Sequence, residues 1–504
     1  MKVTLINPPN VYARKGITLM AFPPIGLAYV AAALEQGGHL VQLIDSVGHF
    51  PTTHYRKQFG TRMFEVNGAH LDEIVARIDP DTGLIGITCM FMHHWPMVRE
   101  IIGLVRLRFP TIPIVVGGEH ATGGHEQILI ESSANAVVLG EGEATALDLV
   151  EHLVRHQSYV GLAGLAWRVG DQVIRGPVRA RIADLNQIAR PAWHLVPVEV
   201  YTRRRMFHGP SLGTTMPIMA TRGCPYQCTF CTSPQMWTTT WLARDPKDVV
   251  DEMGLYRDLY GANDFQFVDL TAIVKKDWIL AFCRELRSRN WPDVKWQLPS
   301  GTRSEAIDYE VGRELKASGC AILTYAPESG SVAQLRRIKK KVKIDRLLSS
   351  IRDVRRAGLD VECFMILGFP DEKPVDILWS YWLIVQFAFV GVESVALSGY
   401  RPVPGTESSA RLVAEGKIVW NDDLYMDLTE STSLFGGRSY NPVLGDFQVA
   451  LIRAVAYTLF FGLAFLVRPW RPLRIIVNLV RGVQSSKLEK ALTEILKRIA
   501  RIRD

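Results

Sequence analysis

Short apolar runs alternate with amphipathic helical runs over the first 155 residues of the chain. The segments KVTLINPP, LVQLIDSV, TGLIGITC, IPIVVGG and AVVLGEGE are rich in β-branched residues, and PIGLAYVAAALEQGG and WPMVREIIGLVRLRF between them have helical spacing. Strands that are apolar on both faces and separated by helices predict a doubly wound parallel sheet. We therefore predict an α/β domain over residues 1–158.

Ligands of such sheets bind at the carboxyl ends of the strands. Here these ends are the loops at 7–9, 88–90, 117–122 and 140–143. Gly117 and Gly118 let the backbone approach a ligand, and Thr88 offers a hydroxyl group. Glu141 lies in the last of these loops. Each glycine taken alone is equally compatible with an ordinary strand-to-helix turn.

A second alternating pattern starts near residue 215, after a linker with a small β excursion at 159–210. It contains the strand-like segments MPIMATRG, DFQFVDL, VKWQLPSG, AILTYAPES, VECFMILGF and SVALSGYRP, with helical runs between them. Six such units predict a partial (β/α)6 barrel of the TIM type over residues 211–410. Reactive groups in barrels lie at the carboxyl ends of the strands.

Three cysteines follow the first of these strands, in the segment ATRGCPYQCTFCTSP. The C-x3-C-x2-C spacing of Cys224, Cys228 and Cys231 brings three thiolates around one centre, and soft sulfur ligands select iron–sulfur clusters, zinc or copper(I). A structural zinc ion would need a distant fourth ligand. A [4Fe-4S] cluster on three cysteines would instead leave one iron open to a substrate or cofactor.

This loop resembles the C-x3-C-x-Φ-C motif of the radical S-adenosylmethionine (SAM) superfamily, with Phe230 at the Φ position. The resemblance implies that the three cysteines hold a [4Fe-4S] cluster whose open iron chelates SAM, with Phe230 beside the adenine.

Two further segments of the barrel extend this resemblance. APESGS implies that Glu328 contacts the SAM ribose region, and SGTRSEAID implies that Arg303 faces SAM. The strand FQFVDLTAIV keeps Asp269 as a SAM-site residue. It departs from the family at Leu270, where relatives often have a second aspartate.

The segments INPP, PPIGLAYVAAALEQGGH, VVGGEHAT and VLGEGEATALDLVEHL resemble the Rossmann-like cobalamin-binding domain of one radical SAM subgroup. The resemblance implies that cobalamin lies near the Thr88, Gly117, Gly118 and Glu141 loops. No Asp-x-His-x-x-Gly motif is present, so a histidine ligand to cobalt is not expected. Four histidines near these loops are interpreted as ordinary surface or supporting residues: His93, His94, His120 and His125.

The function that this resemblance implies is an enzyme that reductively cleaves SAM to a 5'-deoxyadenosyl radical. With methylcobalamin it would methylate an unactivated carbon of a hydrophobic substrate such as a lipid, tetrapyrrole or natural product. The alternatives are a cyclase or rearrangement enzyme like the anaerobic magnesium-protoporphyrin monomethyl ester cyclase, and a non-catalytic cluster-bearing sensor. An external electron donor such as flavodoxin or ferredoxin is expected as a partner, and no nucleic acid.

Composition and charge refine this picture. Seven cysteines, an odd number, indicate reduced thiols rather than a disulfide framework. The N-terminus lacks the pattern of a secretory signal, so a cytoplasmic protein is expected. The net charge of +7 comes from residues 446–504, which have eleven Lys or Arg and four Asp or Glu.

The C-terminal region, residues 411–504, is predicted to be mainly helical. The segment VALIRAVAYTLFFGLAFLV at 449–467 approaches a membrane span in length but contains an arginine, and the helix near 377–391 is also apolar on most faces. Three interpretations stay open: burial of the two segments against each other, peripheral contact with the inner membrane face, and a true span. Helical spacing predicts one shared face for the arginines at 468, 471, 474 and 481, either toward a membrane or paired with acids of the barrel.

Overall fold

The computed structural model describes residues 1–14, 21–155, 159–434 and 436–503, with side chains through residue 496. Two parallel sheets organise the chain, and a helical C-terminal region packs on the second.

The first sheet has the strand order β10-β9-β8-β7-β6-β1-β3. Strands of this part of the chain are β1 (Lys2–Asn7), β2 (Asn10–Ala13), β3 (Leu40–Asp45), β4 (His54–Phe59), β5 (Arg62–Asn67), β6 (Leu84–Thr88), β7 (Ile114–Gly117), β8 (Ala136–Val138), β9 (Leu165–Val169) and β10 (Gln172–Arg175). Helices are α1 (Ile25–Gln36), α2 (Ser46–His49), α3 (Leu71–Arg77), α4 (Trp95–Arg108), α5 (Glu119–Gly123), α6 (His125–Glu131) and α7 (Gly142–Arg155).

The five predicted strands β3, β1, β6, β7 and β8 are parallel neighbours, which confirms the doubly wound sheet. Helices α1 and α7 pack on one face and α3, α4 and α6 on the other, so the sheet separates two buried apolar clusters. The β excursion is the antiparallel hairpin β9–β10, which extends this same sheet.

One sheet was not predicted from the sequence. Strands β2, β5 and β4 form a small antiparallel sheet beyond the end of β1. The segment HYRKQF of β4 alternates exposed and half-buried side chains and buries only its last residue fully. It therefore lacks the apolar face on which strand prediction depends.

The second sheet contains six parallel strands in chain order, β11-β14-β15-β16-β17-β18, and confirms the partial barrel. Its strands are β11 (Thr215–Ile218), β14 (Asp264–Phe267), β15 (Lys295–Thr302), β16 (Cys320–Glu328), β17 (Asp360–Leu367) and β18 (Ser394–Gly399). A separate antiparallel pair consists of β12 (Thr221–Arg222) and β13 (Leu242–Ala243). Helices from the linker through the barrel are α8 (Val198–Arg204), α9 (Ser233–Trp237), α10 (Pro246–Tyr260), α11 (Lys276–Ser288), α12 (Tyr309–Ala317), α13 (Val332–Arg337), α14 (Ile344–Arg356), α15 (Pro374–Val390), α16 (Glu407–Ala414) and α17 (Asp422–Met426).

The C-terminal region is helical, as predicted, with α18 (Asp446–Val467), α19 (Trp470–Val480) and α20 (Lys487–Arg503). By length and composition α18 is the one described helix that could cross a membrane, with a mean hydropathy of 2.0 over its most apolar stretch. It packs along α15, where the Tyr381 hydroxyl donates to the Ile452 carbonyl at 3.0 Å. The two apolar segments are therefore packed against each other.

Arginines hold this region onto the barrel. Arg453 of α18 is buried and donates to the Leu397 carbonyl of β18 at 3.0 Å. Arg471 is 2% exposed, and it and Arg474 both pair with the Glu393 carboxylate. Of the two alternatives for these arginines, Arg471 and Arg474 show the pairing with an acid of the barrel, whereas Arg468 donates to the Ala388 carbonyl at 2.8 Å. The membrane contact stays a prediction.

Candidate active site

The loop with the three cysteines leaves the barrel at the carboxyl end of β11. Gly223 starts it with φ +88°, and a Cβ there would come within 2.2 Å of the Thr240 carbonyl, so only glycine fits. Asp269, at the end of the neighbouring strand, accepts hydrogen bonds from the Thr221 amide and hydroxyl, each at 2.5 Å. Burial raises the pKa of Asp269 to about 6. The structure thus places Asp269 as an anchor of the cysteine loop.

The three thiols are half-buried on this one loop. Burial raises the pKa of Cys224 and Cys228, and that of Cys231 to about 12. The free thiols are therefore protonated at neutral pH, and metal binding must displace their protons. Within the described residues, no group of three His, Cys, Asp or Glu side chains is arranged around a single metal ion.

Glu328 faces the cysteine loop from the end of β16. It is 7% exposed and has φ +71°, a left-handed conformation that is uncommon for a residue with a side chain. The Lys340 ammonium group donates to its carboxylate at 2.9 Å. Burial alone would lower the pKa of Lys340, but the Glu328 carboxylate and the nearby Cys228 together outweigh burial and raise it. Such strain at a buried ion pair marks a candidate binding residue.

Arg303 lies beside the same loop, and Phe230 is part of it, between Cys228 and Cys231. The Arg303 guanidinium lies 3.8 Å from the Tyr226 ring centre and donates to Glu305 at 2.8 Å. The Phe230 ring contacts Phe369 edge-on with ring centres 5.5 Å apart. The structure therefore brings the predicted barrel residues Phe230, Asp269, Arg303 and Glu328 around the cysteine loop, and their roles toward SAM stay predictions.

At the carboxyl edge of the first sheet, Thr88 pairs with Gly117 in the strand register. A Cβ added at Gly117 would meet only the Val138 Cβ within 4 Å, at 3.8 Å, so a side chain can start here without a clash. Gly118 has φ +116°, and a Cβ there would lie 2.7 Å from the Cys89 carbonyl oxygen. Thus a side chain can be accommodated at Gly117, whereas the positive φ and the close Cys89 backbone require glycine at position 118.

Glu141 lies at the junction of the first sheet and the barrel. Its carboxylate accepts from Arg181 Nε at 2.7 Å, from Arg222 Nη1 at 3.0 Å and from the Ile182 amide at 3.0 Å. Arg222 also pairs with Glu143. These contacts support an interdomain role for Glu141, and its predicted role at a cofactor stays untested.

An open cavity of about 270 Å³ lies between the carboxyl edge of the first sheet and the cysteine loop. Thr232, directly after Cys231, lines it from the barrel side, and strand β2, the segment after β6 and the start of α5 line it from the other. The full lining is Asn10, Val11, Tyr12, Met90, Phe91, Met92, His93, Glu119, His120, Thr232, Val403, Leu428, Thr429, Ser431 and Thr432. Apolar groups predominate on this wall.

Buried histidines form part of the cavity wall. Burial lowers the pKa of His93 well below its ordinary value, that of His94 to about 4 and that of His120 to about 3, so these rings are neutral. The Nδ1 atoms of His93 and His120 and the Asn10 amide nitrogen have no hydrogen-bond partner within the described structure. Buried polar atoms without partners indicate a missing ligand or water.

Three features of this site were not predicted from the sequence. Lys340 pairs with Glu328, Glu119 bonds to the Thr232 hydroxyl, and the segment 428–432 closes the cavity. Glu119 lies in the VVGGEHAT motif and is buried, which raises its pKa. That motif could have singled it out; the segment 428–432 has no comparable signal.

The residues present fit a [4Fe-4S] cluster, SAM and cobalamin. Three thiols without a fourth ligand suit a cluster with an open iron. Glu328, with its strained backbone, and Arg303 lie beside the cysteine loop, where SAM would bind. The cavity and the unpartnered polar atoms suit a large ring with amide side chains.

Comparisons with known proteins agree with this geometry. The B12 binding domain model matches residues 19–150, and the Radical SAM superfamily model matches residues 218–380. Cytidylyl-2-hydroxyethylphosphonate methyltransferase from Streptomyces wedmorensis is 28% identical, with 84% of each chain covered. Anaerobic magnesium-protoporphyrin IX monomethyl ester cyclase from Synechocystis is 25% identical, with 84% of this chain and 80% of the cyclase covered.

The fold also matches a solved structure. The radical S-adenosylmethionine methyltransferase TsrM from Kitasatospora setae, with cobalamin and a [4Fe-4S] cluster bound, has a TM-score of 0.63 and 18% identity, with 82% of this chain and 78% of that chain covered. The two family models fall on the two sheets that border the cavity. The chain therefore combines an N-terminal B12-binding domain with a radical SAM domain.

Proposed function

We propose that this enzyme is a cobalamin-dependent methyltransferase that methylates an unactivated carbon of a hydrophobic small molecule. The observation that carries the proposal is the shared cavity. The loop after Cys231 and the edge of the B12-binding sheet line the same space, through Thr232 on one side and Met90 on the other. A methyl donor on the sheet and a hydrogen-abstracting centre on the barrel would thus face one substrate.

The chain's own residues bind and orient in this scheme. Cys224, Cys228 and Cys231 hold the cluster, and Arg303 and Glu328 position SAM beside it. When bound, the cluster and cobalamin supply reductive cleavage of SAM and a transferable methyl group. The apolar lining limits water around reactive species, as the chemistry requires.

The substrate class follows from the lining of the cavity. Met90, Phe91, Met92, Val403 and Leu428 present apolar surface to it. Such a wall favours an apolar substrate over a strongly charged one. The likeness to a tetrapyrrole ester cyclase supports a large apolar substrate, and it also makes cyclisation the second candidate reaction.

A peripheral membrane contact belongs to this proposal. Three tryptophan side chains on the outer helices are more than half exposed: Trp379 and Trp382 of α15, at 55% and 53%, and Trp470 of α19, at 61%. Leu378 and Leu473 beside them are 64% and 65% exposed. Exposed tryptophans with aliphatic neighbours suit the interfacial region of a bilayer, from which an apolar substrate would be taken.

The proposal is tested by anaerobic reconstitution with iron and sulfide. We expect about four irons and four sulfides per chain, as a cubane cluster requires. With SAM and dithionite the protein should form 5'-deoxyadenosine, and Cys228→Ala should form none. Cys283→Ala is the matched control, since Cys283 is a buried thiol of α11 outside the cysteine loop. Reductive cleavage of SAM by the Cys228 variant would contradict the assignment.

A further inference from the structure

A run of cations packs directly behind the cysteine loop. The segment RRIKKKVK, residues 336–343, has six Lys or Arg in eight residues and no Asp or Glu. The Thr229 amide, next to Cys228, donates to the Ile338 carbonyl at 3.1 Å. The Leu335 and Ile338 side chains share an apolar cluster with Phe230. The segment therefore forms the outer wall of the cluster site.

Side chains in this segment alternate between the site and solvent. Lys340 is turned inward to the Glu328 carboxylate. Four others are exposed, and we call them the basic ridge: Arg336, Lys339, Lys341 and Lys343. Gln227, one residue before Cys228, is also exposed. The ridge thus belongs to the segment that hydrogen-bonds to the cysteine loop at Thr229.

The charge of the ridge is only partly neutralised. Lys339 pairs with Glu407 at 2.6 Å, but Arg336, Lys341 and Lys343 have no ion-pair partner in the described part of the chain. The acids nearby in the chain or fold are Glu305, Glu328, Asp371, Asp376 and Glu407, each paired with a cation, and the exposed Asp345. A net positive surface remains.

We infer that the basic ridge is the docking surface for an acidic electron-carrier protein that reduces the cluster. The inference rests on the proposed function, because reductive cleavage of SAM consumes an electron that the chain must receive from outside. The step transfers one electron: the reduced carrier loses one, the cluster gains one, and no atom is exchanged. Complementary charge on the two proteins speeds encounter and fixes the orientation in which they meet.

Charge reversal tests this assignment. The double variant Arg336→Glu/Lys343→Glu changes the ridge by four charges and leaves the inward Lys340 and the Lys341 carbonyl in place. The matched control is Arg313→Glu/Lys316→Glu on α12, two exposed cations outside the ridge. The probe is a flavodoxin of strongly negative net charge, supplied with its reductase, and the readout is 5'-deoxyadenosine formation at low ionic strength.

We expect kcat/KM for flavodoxin to fall about tenfold or more in the ridge variant, with a weaker salt dependence, and to stay unchanged in the control. Binding of oxidised flavodoxin to the reconstituted protein, measured without turnover by surface plasmon resonance, should weaken by a similar factor. Cleavage driven by dithionite alone should be equal in all three proteins.

Two results would overturn the inference: equal flavodoxin binding and kinetics in the ridge and control variants, or loss of binding to anionic lipid vesicles in the ridge variant with flavodoxin unaffected. Absence of dithionite-driven cleavage in the unmodified protein would instead count against the proposed function. The two failures are therefore distinguishable.

Discussion

Two adjacent glycines allow the binding of cobalamin to be separated from the stability of its domain. A side chain at Gly118 would meet the Cys89 backbone, with 2.7 Å to the carbonyl oxygen and 2.9 Å to the carbonyl carbon, and φ is +116°. A Cβ at Gly117 would make only an ordinary 3.8 Å contact with Val138. Gly118→Ala therefore perturbs the fold, whereas Gly117→Val adds a side chain at the edge of the sheet without a backbone clash.

The magnitudes follow from these contacts. A residue forced into an unfavourable backbone conformation costs about 1–3 kcal/mol, and moving the Cys89 backbone adds to this, so we expect Gly118→Ala to destabilise the domain by about 3 kcal/mol. Gly117→Val should change stability little. If cobalamin lies beside this strand, the added side chain overlaps it at a cost of about 1–3 kcal/mol, which weakens binding about 5- to 150-fold.

The assay is titration of the protein with hydroxocobalamin, followed by absorbance, together with the melting temperature without cobalamin. Gly103→Val on α4 is the control, since a Cβ there has open space and lies away from the sheet edge. Native affinity in Gly117→Val would refute the placement of cobalamin beside this strand. A native melting temperature in Gly118→Ala would refute the backbone argument.

Three further predictions concern the buried histidine, the C-terminal region and the outer face. Burial lowers the pKa of His120 to about 3 in the folded protein, so below about pH 6.5 the unfolded state binds a proton that the folded state does not bind. As the pH is lowered below about 6.5, the free energy of unfolding should decrease by up to about 1.4 kcal/mol per pH unit. The melting temperature of His120→Gln should therefore decrease less between pH 7 and pH 5 than that of the parent protein. Glu393→Gln leaves the buried Arg471 without its carboxylate and should cost about 3 kcal/mol, seen as a melting temperature about 6 °C lower, whereas an unchanged value would show that α19 is not held by this pair. Trp379→Ser/Trp382→Ser should lower the affinity for lipid vesicles, measured by co-sedimentation, about 30-fold, because each half-exposed ring contributes about 1 kcal/mol. Equal recovery of the variant and the parent protein would count against a membrane contact.

Local patterns were enough to predict the two large sheets. Their strands are continuous apolar runs because both faces are covered by helices, so each strand can be recognised without its neighbours. The hairpin β9–β10 was visible as strands, but its attachment to the first sheet depends on pairing with β8. β4 was missed because its polar side chains give no apolar face.

The candidate site, too, could be predicted only where its residues are close together in the sequence. The cysteine loop is a motif of eight consecutive residues and can be identified from the sequence alone. The pair of Glu119 and Thr232 joins residues 113 positions apart, and the segment 428–432 reaches the cavity through the tertiary fold. The basic ridge was overlooked because the charges of residues 1–445 were summed to zero.

In the proposed function, one cavity joins SAM cleavage on the barrel to methyl transfer from cobalamin. The most direct test is an anaerobic reaction of the reconstituted, cobalamin-loaded enzyme with S-adenosylmethionine deuterated in its methyl group, a reductant, and a lipid or tetrapyrrole extract. We predict a product that carries the trideuteromethyl group on carbon, formed together with 5'-deoxyadenosine and absent when cobalamin is omitted. A product without added label, or labelled product formed equally well without cobalamin, would contradict the proposed function.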